Sequence, residues 1–109
     1  MSAGKKHDSE KPRMDLISSK AMVELAKVLT FGAKKYASHN WRQGLEWSRV
    51  IAAIMRHTTA YNDGETLDPE TGLSHMAHVL CEAMFLLEFE QTHPELDDRY
   101  KVQGAKEGK

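Results

Sequence analysis

The chain has one cysteine, Cys81, which rules out an internal disulfide framework. It also has almost no net charge, with 15 Lys and Arg against 16 Asp and Glu and a formal charge of −1. Without a global basic field, there is no electrostatic case for binding duplex nucleic acid, so any anion site has to be local. No apolar run approaches the roughly 20 residues of a membrane span. The opening segment MSAGKKHDSEKPR has no apolar stretch behind its lysines, so it does not read as a secretory leader. These absences lead us to expect a cytoplasmic protein with no membrane partner.

Internal repeats are missing too, and so is strand-like alternation: Val, Ile and Thr never alternate with polar residues over a strand's length. At 109 residues and 40% hydrophobic content the chain can fill one modest core. Residues 1–10 and 104–109 are polar and charged and are expected as flexible tails around one all-α domain of residues 11–103.

Apolar residues recur at helical spacing in three blocks. The first follows Pro12, with Ser18 or Ser19 as N-cap, and ends near Ala37. In the second, SRVIAAIMRHTTAYND, Ser48 is the expected cap and Asp63-Gly64 the stop. The third is capped by Ser74 and runs to about Thr92, before His93-Pro94. PELDDRYKVQ is the place for a short fourth helix. The third block is apolar around most of its circumference, from Met76 to Phe89. A small bundle leaves such a helix partly uncovered, so homo-oligomerisation, most simply a C2 dimer, is expected to complete the fold.

Within that apolar helix, SHMAHVLCEAMFLLE, the residues His75, His78 and Glu82 share one stripe, because spacings of three and four return to the same face. Arg49, Arg56 and His57 fall on a similar arc of the second helix. If the two helices pack antiparallel, three histidines, a carboxylate and two arginines meet across a cleft. Imidazole nitrogens with a carboxylate suit a divalent metal, and paired guanidinium groups suit a phosphate. The plainer alternative pairs Glu82 with Arg49 or Arg56 and leaves the histidines bonded to backbone or water.

Further candidates flank this cluster. Lys11 and Arg13 sit beside Pro12 and Asp15, as a phosphate clamp or as solvated charge. Lys34 and Lys35 lie at a helix C-terminus, where cations complement the dipole with or without a ligand. Tyr36, Trp41 and Trp47 offer flat surfaces for a base, or for the core. Asp63, Glu65, Asp68 and Glu70 match no calcium-loop spacing and read as solvent-facing acids.

Four ordered blocks, KPRMDLI, LAKVLTFGAKKYASHNW, WSRVIAAIMRHTTAYNDGE and DPETGLSHMAHVLCEAMFLLE, together resemble a small phage and prophage domain. This is the N-terminal domain of dATP/dGTP diphosphohydrolases, and the resemblance covers about residues 10–90. Its architecture is similar to the all-α NTP pyrophosphatases of the MazG and dUTPase-like kind. The resemblance implies release of pyrophosphate from a purine deoxynucleoside triphosphate by an oligomeric helical bundle with a divalent metal. Residue by residue it points to His57, His75, His78 and Glu82, with Lys11, Arg13, Lys34, Lys35 and Trp41 in the flanking motifs.

MazG-like enzymes hold Mg with acidic pairs on two helices, where this chain has Arg56-His57 and His75-x-x-His78. Nitrogen donors move the expected metal from Mg toward Mn or Zn, or remove metal catalysis altogether. The expected arrangement has His75, His78 and Glu82 holding the metal, with His57 as a further ligand or as general base. The nucleotide would be bound by Lys11, Arg13, Lys34, Lys35, Tyr36, Trp41, Arg49 and Arg56. The same residues would equally serve a protein that sequesters a signalling nucleotide without cleaving it. A purely structural oligomer is the third class.

Overall fold

A computed structural model describes residues 4–102; the tail expected at 104–109 lies outside the described residues. Three helices form the domain: α1, Ser19–Lys35; α2, Trp47–Asn62; and α3, His75–Thr92. Short 3-10 turns at Met14–Leu16, Asn40–Gln43 and Pro94–Leu96 punctuate the connections. There is no strand among the described residues beyond an isolated antiparallel bridge between Leu67 and Ser74. α3 is central, packing extensively on α2 and less on α1.

The ends of the helices follow from local chemistry. The Ser18 hydroxyl accepts from Ala21 N–H at 3.1 Å, and the Ser74 hydroxyl accepts from Met76 N–H at 3.1 Å, each satisfying a free donor of the first turn. α2 departs from expectation. It starts at Trp47 with Glu46 before it, and Ser48 is not its cap. Instead the Asp98 carboxylate accepts from Ser48 N–H at 2.8 Å and from its hydroxyl at 2.6 Å, so a residue fifty positions later ties down this end.

The stop of α2 is a Schellman motif. Gly64 N–H donates to Tyr61 C=O and Glu65 N–H to Ala60 C=O, both at 3.0 Å, with Gly64 at φ 103°. The fourth helix does not form beyond the 3-10 turn at Pro94–Leu96. Its acids are used elsewhere: Asp97 accepts a fork from Arg99 at 2.8 Å on each oxygen, and Asp98 holds Ser48.

The core is small. Trp47, Val50 and Phe89 are buried, with Trp41, Ile54, Phe85, Leu86 and Leu96 packed against them. The Trp47 indole N–H donates to His93 C=O at 3.2 Å, so this ring is core and offers no face to a base. Meanwhile Met76, Leu80, Ala83 and Leu87, which share one stripe of α3, are all left at least partly exposed, Leu87 at 68%.

Candidate functional site

A hollow of about 920 Å³ opens between the C-terminal half of α1, the Asn40–Gln43 turn and the facing sides of α2 and α3. Its polar wall includes Arg56, His57, Asp68, Thr71, His78 and Glu82. Its apolar lining includes Phe31, Tyr36, Trp41, Leu45 and Phe85.

The polar wall is built from two helices and the loop between them. His57 on α2 lies face to face with His78 on α3, ring centroids 4.7 Å apart and planes within 5°. The loop is folded by its own side chains: the Asp68 carboxylate accepts from Glu70 N–H at 3.2 Å and from the Thr71 hydroxyl at 3.3 Å, while Leu73 N–H donates to the Thr71 oxygen at 3.2 Å. Asp68 N–H donates to Leu73 C=O at 2.8 Å and His75 N–H to Thr66 C=O at 3.0 Å, which pins the loop against the start of α3. As a result Asp68 Oδ2 lies 3.4 Å from His78 Nε2, and Thr71 Oγ1 lies 2.7 Å from the same nitrogen.

His57, Asp68 and His78 each offer one donor atom within 4.8 Å of the others, the closest group of potential metal ligands among the described residues. The expected set of His75, His78 and Glu82 is not gathered in this way. Positions 75 and 82 are about 10 Å apart along the helix axis, and His75 turns away from the hollow. It is 4% exposed, with Nδ1 2.8 Å from His57 Nδ1 and Nε2 2.7 Å from Glu65 Oε1. Asp68 takes the place given to His75. The sequence signal for it is D-P-x-T-G: an Asp before Pro in a turn bonds its own loop and so is held in place.

Glu82 stands apart electrically. Its Oε1 is buried with no hydrogen-bond partner, and its Oε2 is 3.8 Å from His57 Nε2. Burial pushes its carboxyl up to about 7, against a smaller opposing pull from Arg56. Burial also lowers His57, reinforced by the neighbouring His78, and lowers His78, with Asp68 opposing. Two imidazoles held neutral keep their lone pairs for a ligand or a proton. The Cys81 thiol also lines the hollow, but burial pushes it up to about 12, so it stays protonated and inert.

The expected phosphate and base residues divide. Arg56 lines the hollow and has no hydrogen bond or ion pair among the described residues. Lys35 also lines it, 3.3 Å from Glu70. Arg49 lies outside, on a smaller neighbouring depression of about 410 Å³, 4.0 Å from Glu46. Lys11, Arg13 and Lys34 do not line the hollow, and Arg13 forks Asp15 at 2.8 and 2.7 Å. Tyr36 is an exposed ring on its lining. The Trp41 ring is already taken, stacked on Phe85 at 4.7 Å with the Arg42 guanidinium 4.6 Å from its centre.

With this geometry in place, comparisons with known proteins converge on one group. A family described as "dATP/dGTP diphosphohydrolase, N-terminal" matches residues 1–99. A dATP/dGTP diphosphohydrolase of Salmonella phage PMBT28 is 38% identical over 96 residues, which is 88% of this chain and 33% of that relative. The chain therefore spans about a third of the relative's length. No solved structure matches the chain. The chain belongs to the dATP/dGTP diphosphohydrolase N-terminal family.

Proposed function

We propose that this member of the family binds a purine deoxynucleoside triphosphate in the hollow and hydrolyses it to the monophosphate and pyrophosphate with a divalent metal. The observation that supports the reading best is Glu82: a buried carboxyl oxygen with no partner, titrating near neutrality, on the lining of a hollow large enough for a nucleotide. A group in that state is suited to take a proton and costly to keep otherwise.

The donor set fits a metal. Two neutral imidazoles and a carboxylate suit Mn, Zn or Co better than Mg, and one donor atom of each lies within 4.8 Å of the others. His57, Asp68 and His78 would hold the ion, which when bound supplies positive charge to an attacking water and to the phosphate oxygens. Glu82 then accepts a proton at Oε1 as a water oxygen bonds to the α-phosphorus and the bond from that phosphorus to the α,β-bridging oxygen breaks. The electron pair leaves with pyrophosphate. The Arg56 guanidinium, with no hydrogen bond or ion pair among the described residues, offers two parallel donors to a phosphate. Tyr36 and Phe31 give the base an aromatic surface, the role that Trp41 cannot take with its ring engaged.

The experiment is to incubate the protein with each dNTP in Mn, Zn or Mg and measure pyrophosphate. Release that disappears in Glu82→Gln supports hydrolysis. Saturable binding without release supports the sequestering alternative, and neither leaves a scaffold.

We also propose that the chain works as a homo-oligomer. A second copy packed on the Met76, Leu80, Ala83 and Leu87 stripe would cover apolar surface that this small core leaves in water.

A further inference from the structure

The third histidine, His75, and the loop acid Glu65 have no role in the scheme above, yet they are joined to it by two short contacts. His75 is almost fully buried, and both of its ring nitrogens are engaged: Nε2 at 2.7 Å from Glu65 Oε1 and Nδ1 at 2.8 Å from His57 Nδ1. His57 in turn presents its other nitrogen, Nε2, to Glu82 at 3.8 Å. The result is one line of groups, Glu65, His75, His57 and Glu82, running from an acid that is half exposed to the lining of the hollow.

The protons along this line are constrained by elementary chemistry. Two ring nitrogens 2.8 Å apart share one proton, because two N–H groups cannot point at each other. An ionised carboxylate only accepts, so the Glu65 contact places a proton on His75 Nε2. With a single proton on its ring, His75 then has Nδ1 bare, and that nitrogen accepts. The donor across the 2.8 Å contact is then His57 Nδ1–H. A neutral His57 with its proton on Nδ1 has a lone pair on Nε2, the atom directed to the hollow.

We propose that Glu65 and His75 are positioning residues that fix the tautomer of His57, so that His57 turns a bare Nε2 to the hollow. The inference rests on the reading of the hollow as the reaction site, since that is where a bare nitrogen has a use as metal ligand or proton acceptor. Residues outside a site commonly orient its histidines in this way through the second ring nitrogen. The local fold serves the arrangement. The Schellman motif at the end of α2 sets the backbone of Glu65, and the His75 N–H bond to Thr66 C=O holds the loop to α3 next to it.

Glu65→Gln tests this, because an amide can either accept from or donate to His75 Nε2 and so no longer selects one tautomer. Glu65 is half exposed, so the variant is expected to fold, and its melting temperature serves as the control. The measurement is nitrogen-15 imidazole NMR of the full chain at neutral pH, free of metal and nucleotide. In the wild type, His57 is expected to carry its proton on Nδ1 with a preference of about tenfold or more, from the bond to the charged carboxylate. In Glu65→Gln that preference falls toward parity. A His57 proton on Nε2 in the wild type, or a tautomer ratio unchanged in the variant, overturns the proposal. Because no nucleotide is present, a chain that hydrolyses nothing can still pass this test, and one that hydrolyses dNTPs can still fail it.

Discussion

The His57 ring of α2 lies parallel to the His78 ring of α3, with 4.7 Å between centroids and 5° between planes. Burial lowers the proton affinity of both rings, and nearby imidazoles add to it, His78 and His75 at His57 and His75 at His78. Stacked neutral imidazoles are a stable arrangement, whereas stacked imidazolium ions repel. In the reading proposed above the pair accepts a metal cation in place of a proton, with Asp68, 3.4 Å from His78, as the balancing negative charge.

That arrangement makes a sharp prediction for metal affinity. Asp68→Asn keeps the size of the side chain and an oxygen for the Glu70 N–H bond but removes the charge, and His78→Ala removes a nitrogen donor. Each is expected to weaken Zn or Mn binding by at least about 100-fold, the upper range for loss of a mere supporting partner. Calorimetric titration of the purified chain with Zn alone measures this. Equal affinity in Asp68→Asn and wild type would mean that the ion, if any, sits elsewhere.

Glu82 connects the same site to stability. Its carboxyl is raised from an ordinary value of 4.5 to about 7 by burial. The folded state therefore binds this proton more tightly than the unfolded chain does. The stability it contributes is fully present below pH 4.5 and is lost as pH rises through about 7. The loss is on the order of 2 kcal/mol, allowing for water that reaches the hollow. Glu82→Gln has no proton to lose. In chelator, its melting temperature is expected to exceed that of wild type by several degrees at pH 8 and to match it at pH 4. Thermal melts across that range decide the matter, and a variant less stable at pH 8 would show that the charged carboxylate has a compensating partner.

How much of this was legible beforehand differs between elements. The three helices were, because Ser18, Ser74 and Asp63-Gly64 are local signals whose chemistry acts within a few residues. The start of α2 was not, because what ties down Ser48 is Asp98, fifty residues away, and no local pattern reports such a contact. At the site, the shared face of His75, His78 and Glu82 was readable from spacing, but the direction of each side chain was not. His75 turns toward Glu65 because that acid is carried to it by the loop, and Asp68 turns inward because Thr71 and the backbone of Glu70 hold it there. A solvated acid and a loop-anchored acid look alike in sequence unless the turn chemistry around them is read first. For Trp41 the choice between a surface for a base and a place in the core was left open by sequence for the complementary reason: its neighbour Phe85 lies on another helix.

Two glycines in positive-φ conformations separate conformational strain from crowding. Gly64, at φ 103°, has nothing within 4 Å of where a Cβ would stand. Gly64→Ala therefore meets the left-handed penalty alone, roughly 1 to 2 kcal/mol. Gly44, at φ 95°, would place its Cβ 2.7 Å from Leu96 Cδ1 and 3.0 Å from two ring carbons of His93. Its Ala variant adds overpacking of about 1 to 3 kcal/mol to the same penalty. Chemical denaturation should rank Gly44→Ala as the more damaging, and the reverse order would contradict the packing of the connector against the end of α3.

The last prediction concerns the uncovered stripe of α3. Met76, Leu80, Ala83 and Leu87 are spaced by four, three and four residues, the pattern of a helix seam that packs against another helix. Leu80 is 40% and Leu87 68% exposed in the single chain. Burial of such a leucine against a second copy is worth about 1.5 to 3 kcal/mol. In a two-fold assembly each position counts twice, so one substitution removes two such contributions and places two charges in the seam. Leu87→Glu is therefore expected to convert the oligomer to monomer at micromolar concentration. It should leave helical content unchanged, because in the single chain this side chain already faces water. Light scattering coupled to size exclusion reads the mass, and circular dichroism reads the fold. A wild-type chain that is monomeric at high concentration, or a Leu87→Glu variant of undiminished mass, would assign the stripe some other neighbour.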